Sequence, residues 1–387
     1  MPAVAFYTRN VLEASAFGIG LLTSIFFIAR ALSAVISGRL SDKYKQKTLY
    51  LPIISFFLNA FAVYTYSYAI NLSQILFIRF IQGILNGLAW VPIQTILGLS
   101  VKYSIRGRVY SAYFIAGSLG VMGGNMLYAI ISKEPLRYIL LISTIAFLIS
   151  SFLTLIIKCK IKTLVTLESK EEVKLATPEL RRQSYSSVIS KIEVFSLLVI
   201  VLGVGFFNSV TRGDLIYIYM NEYLGLEKSL VASFIALASL FGLLLSYPIS
   251  WISDKYTGRY ALKIALLSCV FGALILSIEV GWISILSLAL VYTGAASIVP
   301  IARKIGVSHP TSGGIIIGLI NALANAGNVL GSALAGYLYD ILPRSIKIIN
   351  LNLSPLIIVM STPIIVVTVL TLIPVSYTHL TLPTTER

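Results

Sequence analysis

Apolar positions in this chain come in long unbroken runs rather than in the alternating or one-sided patterns of elements that face water. Runs of about 20 residues or more, the length that crosses roughly 30 Å of hydrocarbon, predict membrane helices near 15–38, 48–70, 73–99, 108–131, 137–157, 194–220, 228–249, 261–279, 281–301, 313–338 and 352–376. Pro and Gly are scattered inside these runs and alternating ten-residue segments are missing, a pattern that fits helices and not a membrane β-barrel. The expected fold class is an all-α polytopic membrane protein of about eleven full transmembrane helices. The longest polar break, residues 158–193, holds KCKIK, ESKEEVK and ELRRQ. It separates an N-terminal transmembrane lobe, 1–157, from a C-terminal one, 194–376.

Composition agrees: 57% of the 387 residues are hydrophobic, 12% are charged, and the mean hydropathy is +0.90. A net charge of +15 would point to nucleic acid in a soluble protein, but the basic residues here sit in short connections between apolar runs, so no nucleic-acid partner is expected. Alternate connections divide 20 Lys and Arg on one side against 7 on the other. By the positive-inside rule the side with 20, which includes 38–47, 250–263 and the central loop 158–193, is expected in the cytoplasm of a cell (plasma) membrane. Cys159 and Cys269 suggest no disulfide framework. No nucleophile with its base, metal cluster or phosphate-binding loop stands out, so no catalytic residue, metal or cofactor is expected and the chain does not read as an enzyme.

An internal repeat organises the runs. SDKY occurs at 41–44 and again at 253–256, and the same offset lays Tyr7 on Tyr219 and Leu12 on Leu224. A shift of about 207 lays Gly87 on Gly294, Pro92 on Pro300 with one insertion, and Gly120 and Gly124 on Gly327 and Gly331. Two parallel six-helix repeats follow. By that alignment the opening residues correspond only to the outer end of helix 194–220, so most of a first helix is expected to be missing. VSYTHLTLPTTER at the other end turns abruptly polar and resembles the conceptual translation of a sequencing adapter, so residues 377–387 are expected to be non-native, the artefact beginning near 375.

With these repeats, the loop GRLSDKYKQK resembles the signature loop of the major facilitator superfamily of secondary transporters, matching at Gly38, Asp42, Lys43 and Lys47. In the second lobe Asp254, Lys255, Gly258 and Arg259 echo it. The resemblance implies that fold, with two lobes of six helices. It also implies that Gly38 lets a helix approach closely and that Asp42 caps the N-terminus of a helix of the other lobe, beginning near Ser312 and Gly313, as a cytoplasmic latch. The alternative is that these charges only set topology. RFIQGILNGLAWVP, Arg79 to Pro92, is similar to the family's fourth-helix pattern; Arg79 should face a cavity or a partner, or else snorkel outward. Gly117, Gly120, Gly123 and Gly124 resemble a glycine-rich fifth-helix motif of drug antiporters without its proline, and plain helix packing is the preferred account, as for Gly327 and Gly331.

The family places substrate between the lobes near the bilayer midplane. Carried over, the candidates are Gln82, Asn86, Trp90 and Gln94, which share one helix face, with Asn208, Arg212 and Tyr217, and Tyr292 and Ser297. Each alone is as well explained by an interhelical hydrogen bond. No titratable carboxylate sits in the central third of a run. Asp214 is the nearest, with an Arg212–Asp214 association slightly favoured over a coupling role, so coupling to a proton or other ion gradient stays open. The expected function is secondary active transport of a small organic or drug-like solute by alternating access, efflux or uptake unresolved, in a lipid-embedded monomer. The alternative is a sensor of the same fold that binds without transporting.

Overall fold

A computed structural model describes residues 2–99, 106–168, 191–255, 258–278, 280, 282–307, 313–348 and 351–372 of the chain. Their long helices fall where the apolar runs predict: α2 (Ala16–Tyr44), α3 (Tyr50–Thr65), α4 (Leu72–Leu99), α5 (Arg106–Ile131), α6 (Leu136–Glu168), α7 (Lys191–Thr211), α9 (Lys228–Lys255), α10 (Gly258–Ser277), α11 (Ile283–Val307), α12 (Gly313–Ile341) and α13 (Pro355–Leu372). Short helices α1 (Pro2–Asn10) and α8 (Leu215–Glu222) complete the set. Eight of the described helices are long and apolar enough to cross a membrane, and α7 with α8 makes a ninth as one broken span. Large apolar side chains such as Phe77, Leu148 and Phe241 lie exposed around the perimeter, as lipid contact requires. The tail 377–387 and the middle of the central loop, 169–190, lie outside the described residues.

Two features differ from the expectation. The run 194–220 is not one helix: it breaks between Thr211 and Leu215 with a 49° bend. Asn208–Asp214 reads NSVTRGD, polar side chains that compete for backbone bonds and a glycine, so the helical ladder has local alternatives there. The last helix starts at Pro355, after a two-stranded antiparallel hairpin, β1 (Ile346–Ile348) with β2 (Leu351–Leu353), in which Lys347 faces Asn352. The Ser354 amide donates to the Ser277 carbonyl at 2.8 Å and moors this hairpin to the end of α10. The all-α expectation thus omits a small β element that closes one connection.

Within the first half α2 packs on α4, and α3 on α4 and α6; within the second, α10 and α9 pack on α11, and α7 on α12 and α13. The halves meet chiefly through α2 with α12 and α5 with α9, and also through α1 with α8. The close approaches rely on glycine: a Cβ on Gly83 would strike the Phe26 carbonyl, one on Gly205 the Ala324 carbonyl, and one on Gly20 the Ser332 carbonyl across the two halves. With no Cβ, helix backbones come near enough for dispersion contacts where the hydrophobic effect between helices is weak.

Candidate functional site

Consider first the end of the bundle away from the SDKY segments, where α2 and α4 begin and α12 ends. The Asp340 carboxylate accepts hydrogen bonds from the Ala16 amide, 3.0 Å, and the Phe17 amide, 2.8 Å. These are first-turn amides of α2 with no partner in their own helix, and the positive end of the helix dipole favours the charge. Two turns further in, the hydroxyls of Ser24 and Ser332 lie 2.6 Å apart and Ser24 Oγ donates to the Val329 carbonyl at 2.9 Å. Arg9 of α1 pairs with Glu222 of α8, Nε to Oε1 at 2.6 Å, and Tyr339 donates to the same carboxylate at 2.9 Å. The far end is therefore tied shut between the halves by ionic and hydrogen-bonded contacts.

Deeper lies a buried ion pair. Arg79, two turns into α4, donates from Nη2 to both oxygens of Asp214 at 2.9 Å, and both side chains are over 90% buried. Thr23 of α2 donates to Asp214 Oδ2 at 3.2 Å and its oxygen accepts from the Asp214 amide at 3.1 Å. Tyr66 donates to Gln82 Oε1 at 2.7 Å, and its ring lies beneath the Arg79 guanidinium, 5.9 Å away. The expected Arg212–Asp214 association is thus replaced: the helix break turns Asp214 toward Arg79, across the halves, and turns Arg212 elsewhere. Arg212 stacks on the Tyr292 ring at 4.5 Å and donates to the Tyr292 carbonyl at 3.2 Å. Tyr292 in turn donates to the Thr211 carbonyl at 2.7 Å, which satisfies a carbonyl that the break leaves without its helical amide.

Most cavity candidates meet one another or a neighbouring helix. Trp90 packs edge-on against Phe56 and Tyr113, and Gln94 Nε2 donates to the Tyr113 hydroxyl at 3.1 Å. Tyr217 donates to Asn125 Oδ1 at 2.8 Å. Ser297 donates back to the Thr293 carbonyl of its own helix. Asn86 and Asn208 differ: their side-chain carbonyl oxygens are buried with no hydrogen-bond partner among the described residues.

The glycines divide. Gly327 sits against the Leu202 carbonyl and the Phe206 amide, Gly331 against the Phe206 carbonyl, both in the α7–α12 contact. Gly117, Gly120, Gly123 and Gly124 have nothing within 4 Å of a would-be Cβ. The packing account of these four is therefore corrected: no described residue is seated against them, and α5 meets α9 through other residues. Gly38 likewise has no neighbour within 4 Å among the described residues, so none of the described helices is seated on it as the latch requires, and Lys47 is exposed in a 3₁₀ turn. Ser312, the side chains of Asp42, Lys43, Asp254 and Lys255, and those of residues 313–319 at the start of α12 lie outside the described residues; the Arg259 side chain is exposed.

Sequence reasoning overlooked Arg30, Thr23, Tyr66 and Asp340. Arg30 carried a signal, one arginine in the middle of the apolar run of α2, and it is half-buried there with its guanidinium 5.8 Å over the Phe27 ring. The others are ordinary residues until their partners, far away in sequence, are known.

Comparison with known proteins places this arrangement. The structure resembles a crystal structure of a mutant of the nucleoside transporter NupG, with a TM-score of 0.67, 13% identity, and coverage of 96% of this chain and 94% of that one. It also resembles a bacterial homolog of the human lysosomal transporter Spinster, in an inward-facing and occupied conformation, with a TM-score of 0.62, 13% identity, and coverage of 88% and 78%. At such identities the likeness is one of fold. No curated protein matches the sequence. The sequence profile of the Major Facilitator Superfamily matches residues 1–332, and the chain belongs to that family as a multi-pass, non-enzymatic membrane transporter.

Proposed function

We propose that the protein is a secondary active transporter that moves a small organic solute by alternating access, its two lobes (1–157 and 194–376) rocking about a site between them. The observation that carries this is the one-sided placement of the ties between the halves. Among the described residues, Asp340 on the α2 amides, Ser24 on Ser332 and Arg79 on Asp214 all lie toward the far end, while Gly38 near the SDKY end has no described neighbour within 4 Å of a would-be Cβ. A carrier closed at one end needs a second state with that end parted. With the SDKY segments cytoplasmic, as the distribution of Lys and Arg supports, the state closed at the far end opens inward and the second state opens outward. The Asp42 loop then forms its contacts in the opposite state.

The test uses a Ser24→Cys/Ser332→Cys protein with Cys159→Ser, since Cys159 is exposed and the two serine oxygens are 2.6 Å apart. It is reconstituted in liposomes and assayed for counterflow of radiolabelled solutes, among them uridine, glucose and gluconate. Oxidation should abolish counterflow and reductant restore it. Full transport with the pair crosslinked would end the alternating-access account.

A further inference from the structure

We propose that the space between the lobes is built for a small organic anion that also carries hydroxyl or N–H donors, a hydroxy-carboxylate or a phosphate ester, with Arg30 and Arg212 as its cationic partners. The inference rests on the transporter reading above and names its substrate class.

Charge balance is the starting point. Between the two ends of the bundle the described residues place three arginines, Arg30, Arg79 and Arg212, and one carboxylate, Asp214, which is committed to Arg79. Arg30 stands 14 residues from each end of the 29-residue α2, about 21 Å at the rise of a helix, too deep to snorkel to either surface. Its guanidinium makes no hydrogen bond or ion pair with any described residue, and it lies near the Phe27 ring and the Tyr113 side chain of α5. Arg212 spends one hydrogen bond on the Tyr292 carbonyl and keeps its remaining N–H donors. It is exposed although Thr211, Gly213 and Tyr292 around it are buried, so its guanidinium looks into open space within the bundle. Two guanidiniums without carboxylates in a low-dielectric layer are costly and fit a site whose counter-ion arrives with the solute.

Placement brings them to one space. Thr23 and Arg30 are two turns apart on one face of α2, and Thr23 holds Asp214, two residues from Arg212. Arg30 therefore lies about 10 Å further toward the SDKY end than the Arg212 layer. On the SDKY side of the Arg212 layer stand the orphaned carbonyls of Asn208, one turn from Arg212, and of Asn86, two turns from Arg79 and next to Gly87, which packs on the Arg30 carbonyl. Buried acceptors without donors are completed by a ligand that donates, which adds the hydroxyl or N–H requirement to the anionic one.

The test is binding and counterflow by the purified full-length protein with matched probes: gluconate, glucose 6-phosphate and uridine 5′-monophosphate against glucose and uridine. At least one anion should raise the melting temperature where its neutral counterpart does not. Arg30→Gln and Arg212→Gln should each weaken that anion about ten- to a hundredfold, as loss of a charged hydrogen bond does. Arg30→Lys, which keeps charge without the planar fork, should fall between, and Arg137→Gln, exposed at the far end, should bind as wild type. Unliganded melting temperatures establish that each variant folds. Equal binding of neutral probes, wild-type affinity in either glutamine variant, or no binding of any anion overturns the proposal. Counterflow of glucose or uridine but of no anion also overturns it and leaves the transporter reading standing. Arginine-dependent anion binding without counterflow upholds it and ends that reading.

Discussion

Replacing Asp214 by Asn tests how much the buried pair holds. In the native protein both Arg79–Asp214 contacts are 2.9 Å, and the side chains are only 7% and 8% exposed, so water screens neither charge. The Arg79 Nε has no partner of its own. Asp214→Asn would leave a guanidinium stranded in a low-dielectric layer with one neutral acceptor. Breaking such a pair from one side costs about 3–5 kcal/mol, and the surviving acceptor argues for the lower figure, about 3 kcal/mol, more than a hundredfold in the unfolding constant. Replacing both partners by apolar side chains of similar volume, Arg79→Met with Asp214→Leu, removes the stranded charge along with the attraction. It should recover most of the loss, because a buried pair and a well-packed apolar substitute are often close to equal. The assay is denaturant unfolding in detergent, followed by circular dichroism, across the complete double-mutant cycle. A loss under about 1 kcal/mol for Asp214→Asn, or a double variant as unstable as the two losses added, would refute the buried-pair reasoning.

Three further outcomes are expected. Asp340→Ala frees the amides of Ala16 and Phe17; it should cost about 0.5–2 kcal/mol and speed hydrogen–deuterium exchange in the first turn of α2, and unchanged exchange would show that the cap does not hold. Gly20→Ala drives a methyl into the Ser332 carbonyl and should destabilise by about 1–3 kcal/mol. Gly120→Ala, with open space around it, should be neutral or stabilising by up to about 1 kcal/mol, so equal losses at the two glycines in a thermal melt would contradict the packing. Arg9→Gln breaks a bridge that is 24% and 21% exposed; it should cost about 1 kcal/mol or less and matter less as salt rises, in contrast to the salt-insensitive loss at Asp214.

The helices were legible because an apolar run long enough to cross hydrocarbon has few other uses, and the structure puts eleven long helices at the eleven runs. The break at Thr211–Leu215 was hidden by the same logic: hydropathy averages over a window, and one Arg-Gly-Asp inside an apolar stretch hardly moves the mean. Charge pairing was the least readable. Proximity in sequence favoured Arg212 for Asp214, yet the partner is 135 residues away on α4, because a bend re-aims side chains in a way that spacing does not encode. Arg30 was readable, since an arginine at mid-membrane is costly wherever it points. The glycines of α5 and α12 repeat in register and still differ, because packing depends on what faces them and the lobes face different neighbours.

The bend after α7 puts two opposite attachments within three residues. Arg212 points to Tyr292 and the open interior; Asp214 is clasped by Arg79 and Thr23 of the other half. Only Gly213 separates them, and it is wedged against the Ser209 carbonyl, with Thr23 Oγ1 3.3 Å from where its Cβ would stand. If the proposed anion seats on Arg212, a pull on that guanidinium would reach the neighbouring carboxylate through a single residue. The segment would then work as a short crank, with cargo on one arm turning the bolt held by the other.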